Sequence, residues 1–238
     1  YQHDSVAGEF VWTGFDYIGE PTPWNGTDRG DSGRGAIPNS SYFGIVETSG
    51  FPKDSFYLYR AQWNKADTTV HLVTAWDSDN QYLTGGKTPV WVYTNAAKVE
   101  LYLNDALIGT TVRKANTSPA GHTYYTYTAT SNNAGVCTAA SNYNADALYS
   151  IFNVAYTAGT LTAKAYDEQG NEIALDSSCG QYTVSTPGAV SKLVATANCT
   201  EINADNSDLV YVEVDVTDAN GNLKTTATNN ITFTVEGP

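Results

Sequence analysis

The 238 residues carry 12 Lys and Arg against 25 Asp and Glu, a formal charge of −13, with 41% apolar residues. That apolar fraction excludes wholesale disorder, and the acidic balance, with no Lys/Arg cluster or basic stripe, argues against a nucleic-acid or anionic-membrane partner. No apolar run approaches the ~18 residues that a membrane-spanning helix needs.

In chain order, Gly8–Val11 reads as a compact apolar strand running into Trp12, followed by a Gly/Pro/Asn/Asp-rich loop from Gly19 to about Tyr42 and a short strand at Gly44-Ile45-Val46. After Phe51-Pro52 the stretch KDSFYLYRAQW sets Phe56, Tyr59 or Arg60, and Trp63 at helical spacing, with Asp54 in the first turn to meet the helix dipole. One strand and one helix cannot bury their own faces, so residues 1–63 are expected to complete something larger. From 64 to 186 the pattern turns to β. Tyr, Thr and Val are abundant, and alternating runs at 69–75, 89–94, 98–104, 122–128, 151–157, 160–167 and 181–186 are separated by Asn, Asp and Gly. Strands of this number and spacing predict an immunoglobulin-like sandwich, with Val92, Val99, Leu101, Leu103, Val154 and Ala163 in its core. After Thr186-Pro187-Gly188 the β pattern restarts with LVATA, LVYVEVDVTD and NITFTVE, about half of a second sandwich in residues 187–238. Because YQHDSVAGEF begins in mid-phrase and NNITFTVEGP stops at a strand, the stretch is expected to be a piece of a longer chain.

Chemistry-bearing residues are sparse. His3, His71 and His122 are scattered, Cys137, Cys179 and Cys199 form no C-x-x-C pattern, and no G-x-S-x-G elbow occurs, so neither a metal nor a cofactor nor a serine triad is expected. Cys137 and Cys179 could bridge two strands of the central segment; three buried reduced thiols are the alternative. The carboxylates that remain near the first strand are Glu9, Asp16 and Glu20, with Asp28 and Asp31 in the loop. Glu9 alternates with Trp12, so if Trp12 faces a site Glu9 faces away. Trp76, Tyr82 and Trp91 could form a sugar-binding platform, although alternate aromatics in strands more often belong to a core.

The run W-T-G-F-D-Y-I-G-E-P-T-P-W, residues 12–24, resembles the last barrel strand and following loop of family 2 glycoside hydrolases, the β-galactosidase and β-glucuronidase family, in its shorter bacterial branch. The resemblance continues through Phe43-Gly44-Ile45-Val46, Gly50-Phe51-Pro52-Lys53 and Tyr57-x-Tyr59-Arg60-x-Gln62-Trp63. Val90-Trp91-Val92-Tyr93-Thr94-Asn95 and Val99-Glu100-Leu101-Tyr102-Leu103-Asn104 are similar to the all-β domain that follows the barrel there, and Phe233-Thr234-Val235-Glu236-Gly237-Pro238 to the next module. The fold implied is mainly β: immunoglobulin-like sandwiches at 64–186 and 187–238, preceded at 1–63 by the last strand-loop-helix of a (β/α)8 barrel.

The resemblance implies a retaining exo-β-glycosidase whose two catalytic glutamates lie upstream of Tyr1, so that these residues alone are expected to be inert. It implies substrate contact by Trp12, as the floor under the non-reducing sugar, with Asp16 orienting loop or sugar hydroxyls and Trp24 lining an outer subsite or anchoring its loop. The partners implied are terminal β-galactosides and the remainder of the chain's own barrel, in an extracellular, cell-surface or periplasmic bacterial setting. A glucuronidase-type Asn-x-Lys is replaced by Ser41-Tyr42-Phe43, which lacks a cation for a uronic acid and favours a neutral sugar. A carbohydrate-binding or cell-surface module is the alternative. A cis peptide is expected between Trp12 and Thr13, since regular strand alternation would leave the indole poorly supported as a floor, and Gly14 tolerates the reversal.

Overall fold

A computed structural model describes residues 3, 5–8, 10–18, 41–80, 85–132, 137–138 and 147–236. The helix lies where its spacing predicts, at α1 (Asp54–Trp63), and nine strands follow: β1 (Val70–Val73), β2 (Lys87–Thr94), β3 (Lys98–Leu103), β4 (Ala106–Thr117), β5 (Thr123–Asn132), β6 (Cys137–Thr138), β7 (Ser150–Ala155), β8 (Thr160–Tyr166) and β9 (Thr183–Ser185). They form two antiparallel sheets, β1-β2-β7-β6 and β5-β4-β3-β8-β9. Val70, Leu72, Val90, Val92, Phe152 and Val154 of the first sheet meet Val99, Leu101, Leu103, Leu161, Ala163 and Ala165 of the second in one core. All six residues expected there from alternation are buried. The chain is thus mainly β, a sandwich in which strand faces alternate between core and solvent.

Two strands were not legible in the alternation. β4 pairs with both β3 and β5, yet its sequence ALIGTTVRKANT mixes Gly109, Arg113 and Lys114 into the run. The signal for it is the two-residue turn Asn104-Asp105, with φ of 48° and 65°, the left-handed geometry that a tight hairpin demands. β6 is only two residues long.

The helix is clasped to the sandwich by a fixed histidine. Tyr57 stacks on His71 with ring centroids 3.8 Å apart and planes 8° from parallel. The Gln181 backbone N–H donates to His71 Nδ1 at 3.1 Å, so the ring proton sits on Nε2, 2.7 Å from Asp54 Oδ1. Arg60 Nη1 donates to the Ser178 carbonyl at 2.6 Å, and Gln62 Nε2 to that of Leu148 at 3.0 Å.

Beyond Ser185, β10 (Lys192–Ala197) and β11 (Val212–Thr217) form a separate antiparallel ribbon. Lys224, in the turn after β11, reaches back to the sandwich and grips Asp77 at 2.5 Å and Asp79 at 3.3 Å. Burial pushes the Asp77 carboxyl up, but Lys224 and the backbone N–H groups of Asp79 and Ser78 outweigh it and hold the acid below its ordinary value. A cavity of about 460 Å³ opens along this seam, between Trp76 and Asp77 on one side and Asn222 and Leu223 on the other.

Three expected strands are corrected, the short one at Gly44-Ile45-Val46 being only isolated bridges of Val46 to Phe15 and Pro52. The described residues of Gly8–Val11 form no strand, and Phe10 is 103% exposed. A strand needs neighbours for its backbone groups, and here the pairing starts only at Thr13, against residues 43–46. NITFTVE also forms no strand among its described residues, and Phe233 and Val235 are exposed. The disulfide alternative falls: Cys179 is a free buried thiol and Cys199 a free, half-exposed one, so the all-buried alternative fails at Cys199 as well. The Cys137 side chain lies outside the described residues.

Candidate functional site

The passage 12–18 is built on a short parallel pairing with 43–46. Ile45 N–H donates to the Thr13 carbonyl at 3.2 Å, Val46 N–H to Gly14 at 3.0 Å, and Asp16 N–H to Val46 at 2.9 Å. Gly44 is required by this approach, because a Cβ there would lie 2.2 Å from the Asp16 nitrogen and 2.6 Å from the Val46 oxygen. The Trp12-Thr13 peptide is cis, as expected. Thr13 Oγ1 accepts from the Phe15 N–H at 3.1 Å and donates to its carbonyl at 2.6 Å, fixing the turn that follows.

Trp12 is 74% exposed, its indole presented to solvent. Nε1–H donates to the Tyr17 hydroxyl at 3.2 Å, and the two rings meet edge to face at 6.3 Å, so the broad face of the indole is held in one orientation. Asp16 is 7% exposed and its carboxylate is fully engaged: Oδ1 accepts the Gly44 N–H at 2.8 Å, and Oδ2 pairs with Lys53 Nζ at 2.6 Å. Lys53 Nζ also donates to the Tyr42 carbonyl at 3.3 Å. Asp16 therefore ties the passage that follows Trp12 to Gly44 and Lys53. Trp24, Glu9 and Glu20 lie outside the described residues.

Sequence reasoning quoted Tyr17, Gly44 and Lys53 within the family-like stretches but gave them no role. Only Gly44 carried a signal, standing alone between bulky Phe43 and Ile45; Lys53 carried none, since Arg29 and Arg34 lie nearer to Asp16 in sequence. Trp76 takes the core alternative over the platform. Trp76 is buried against Tyr156, Trp91 is half-buried beside Tyr149, and Tyr82 lies outside the described residues. On the outer face of β3 and β8, Lys98 covers the Tyr166 ring at 3.7 Å and Lys164 lies 5.4 Å from that of Tyr102; Arg113 on β4 covers Tyr125 on β5 at 4.2 Å. Those ring faces are occupied by cations. Among the described residues no three His, Cys, Asp or Glu side chains converge to hold a metal.

A β-sandwich joined to a helix and a two-strand passage that presents one oriented indole defines the class by fold: a mainly β module in series with a segment of another architecture. Residues 193–238 match the model of the glycoside hydrolase family 2 C-terminal domain 5, and residues 85–174 that of a domain of unknown function, DUF4982. The chain is 32% identical over 236 residues to a β-galactosidase of Bacteroides ovatus, covering 99% of this chain and 22% of that protein. It is 27% identical over 215 residues to a β-glucuronidase of Formosa agariphila, covering 90% and 18%. Its fold matches a β-glycosidase from Bacteroides vulgatus with a TM-score of 0.57 at 24% identity, over 91% of this chain and 21% of the other. A glycosyl hydrolase family 2 member from Bacteroides cellulosilyticus matches with a TM-score of 0.57 at 23% identity, over 93% and 27%. The chain belongs to glycoside hydrolase family 2 and spans about a fifth of the length of these two curated relatives.

Proposed function

We propose that this chain is part of a retaining exo-β-glycosidase that removes terminal β-galactosyl units. In this reading residues 1–63 close a (β/α)8 barrel, 64–186 form an immunoglobulin-like sandwich behind it, and 187–238 open a second one. Trp12 is the floor of the subsite for the non-reducing sugar. The observation that carries the reading is the indole itself: exposed, oriented by Tyr17 and backed by a loop that Asp16 ties down. A β-galactoside has an apolar face of C–H groups that an indole covers, while its hydroxyls stay free for polar partners. The exposed row of Phe10, Phe15, Ile18 and Phe43, with Trp63 at the end of α1, is the surface on which the other barrel elements pack. Trp24 lines an outer subsite or anchors its loop.

Charge supports a neutral sugar. Among the described residues, the Lys53 ammonium is already neutralised by Asp16, so it offers a uronic acid no free counter-charge. Hydrolysis proceeds through a covalent glycosyl-enzyme formed on one carboxylate while a second serves as acid and then base, both supplied from other parts of the barrel, and these 238 residues alone do not turn over substrate. The setting that goes with this reading is extracellular, cell-surface or periplasmic.

The test pairs two measurements. In a protein carrying the whole barrel, Trp12→Ala is expected to lower kcat/KM for a nitrophenyl β-galactoside by about tenfold, the equivalent of about 1.4 kcal/mol, while this chain alone shows no turnover. A kcat/KM within about twofold of the parent, or preference for the β-glucuronide, overturns the reading.

A further inference from the structure

Residues 160–185 and 211–236 are two copies of one unit, 51 positions apart without a gap. The turn after β8 and the turn after β11 share one internal pattern, to which the second adds the Gly188 N–H donating to Asp218 Oδ2 at 2.8 Å. Asp167 Oδ1 accepts from the N–H groups of Gln169 at 2.9 Å and Asn171 at 2.8 Å, and Oδ2 from the Asn171 amide at 2.9 Å. Asp218 Oδ1 accepts from Asn220 at 2.8 Å and Asn222 at 2.9 Å, and Oδ2 from the Asn222 amide at 2.9 Å. Gly170 and Gly221 take φ of 84° and 90°. The strand partners agree in register: Lys98 stands opposite Tyr166 as Lys192 stands opposite Thr217. The core face of β3 and β8, with Val99, Leu101, Ala163 and Ala165, is repeated by Leu193, Ala195, Val214 and Val216 on β10 and β11.

The copies differ in the 3-10 turn Ser177–Cys179, present only in the first, and in the strand that follows it. In the first, Gln181-Tyr182-Thr183-Val184-Ser185 adds β9 to the edge of β8, with Leu161 opposite Val184 and Thr162 opposite Thr183, and Tyr182 and Val184 pack on the core. In the second, the matching Thr232-Phe233-Thr234-Val235-Glu236 is unpaired: Phe233 is 71% and Val235 97% exposed, while Val212, the counterpart of Leu161, is 52% exposed. The edge of β11 away from β10 has no strand partner among the described residues.

We infer that residues 233–236 are a strap that closes on this edge of β11, antiparallel, with Val235 opposite Val212 and Thr234 opposite Glu213. Closure puts Phe233 and Val235 on the same apolar face as Leu193 and Val214 and covers backbone groups that otherwise invite a strand from another chain. The inference does not depend on the sugar-site reading, since it rests on the repeat alone. In the first copy, Ala163 N–H donates to the Tyr182 carbonyl at 2.9 Å and Thr186 N–H to that of Gly159 at 2.9 Å. Residues 162 and 183 are therefore a pair without mutual bonds, the geometry in which side chains stand closest. The second-copy equivalents are 213 and 234.

The experiment is oxidative cross-linking of the 238-residue chain in a Cys199→Ser background. Glu213→Cys with Thr234→Cys is expected to cross-link, whereas Glu213→Cys with Val235→Cys, which points to the opposite face, is not. Amide exchange on the unsubstituted chain gives a second reading, with Phe233 and Val235 at least about tenfold slower than Thr234. Equal cross-linking of both pairs, or exchange of all three amides at the rate of the exposed loop near Ile202, overturns the register and the strap.

Discussion

The sandwich and the stretch from Phe10 to Ile18 carry similar large apolar side chains with opposite outcomes. Phe152 on β7 is fully buried between two sheets, whereas Phe10 is fully exposed and Phe15 and Ile18 are mostly so. Apolar character is common to both, so it does not decide burial. The deciding factor is the number of neighbours that offer backbone partners: β7 pairs with β2 and β6, while among the described residues 13–16 pair with 43–46 alone. An apolar strand becomes a core strand when a second layer is supplied, and the first segment receives none from the described residues.

The sharpest way to break this comparison is to truncate one aromatic from each region. Phe152→Ala is expected to cost about 3–5 kcal/mol of sandwich stability, read as a fall in the urea midpoint, whereas Phe10→Ala stays within about 0.5 kcal/mol. Equal costs would mean that Phe10 is packed in solution. Gly44→Ala tests the weaker region on its own terms. The added methyl meets only backbone, so the pairing of 13–16 with 43–46 should lose about 1–3 kcal/mol, seen as faster exchange of the Asp16 and Val46 amides, with the urea midpoint of the sandwich unmoved.

The smallest effect concerns pH. Burial pushes the Glu100 carboxyl up, but Lys98 and the hydroxyls of Tyr102 and Tyr166, at 2.7–2.8 Å, outweigh it and hold the acid down to about 2 from 4.5. A depressed acid stabilises the folded state above its ordinary value and loses that contribution as pH falls through the folded one. Between about pH 4.5 and 2 the sandwich should weaken, and Glu100→Gln should flatten that slope by on the order of 1 kcal/mol after screening by solvent. An unchanged slope in urea titrations across that range would remove Glu100 from the account.

Much of the architecture was legible. Val99-Glu100-Leu101-Tyr102-Leu103 announces its faces by alternation, and Asp54 through Trp63 its helix by spacing, because both periods arise from local backbone geometry. β4 was not legible, since Gly109 and Arg113 interrupt its pattern and its two neighbours in the sheet, β3 and β5, hold it in place. At the candidate site, Trp12 and its cis peptide were anticipated through family likeness. The commitment of Asp16 to Lys53 and the Gly44 N–H was not, because it depends on a fold that brings residues 28 and 37 positions away to one carboxylate.

Lys224 has a mechanical consequence. The cavity along the seam draws its walls from the sandwich and from the turn after β11, so its width is a caliper reading of the angle between the two modules. One ammonium gripping Asp77 and Asp79 acts as the set-screw of that caliper. In the repeated unit the corresponding position is Ile173, which packs against its own core. Exchanging an inward apolar anchor for an outward cation turns a residue that stiffens one module into one that sets the posture of two.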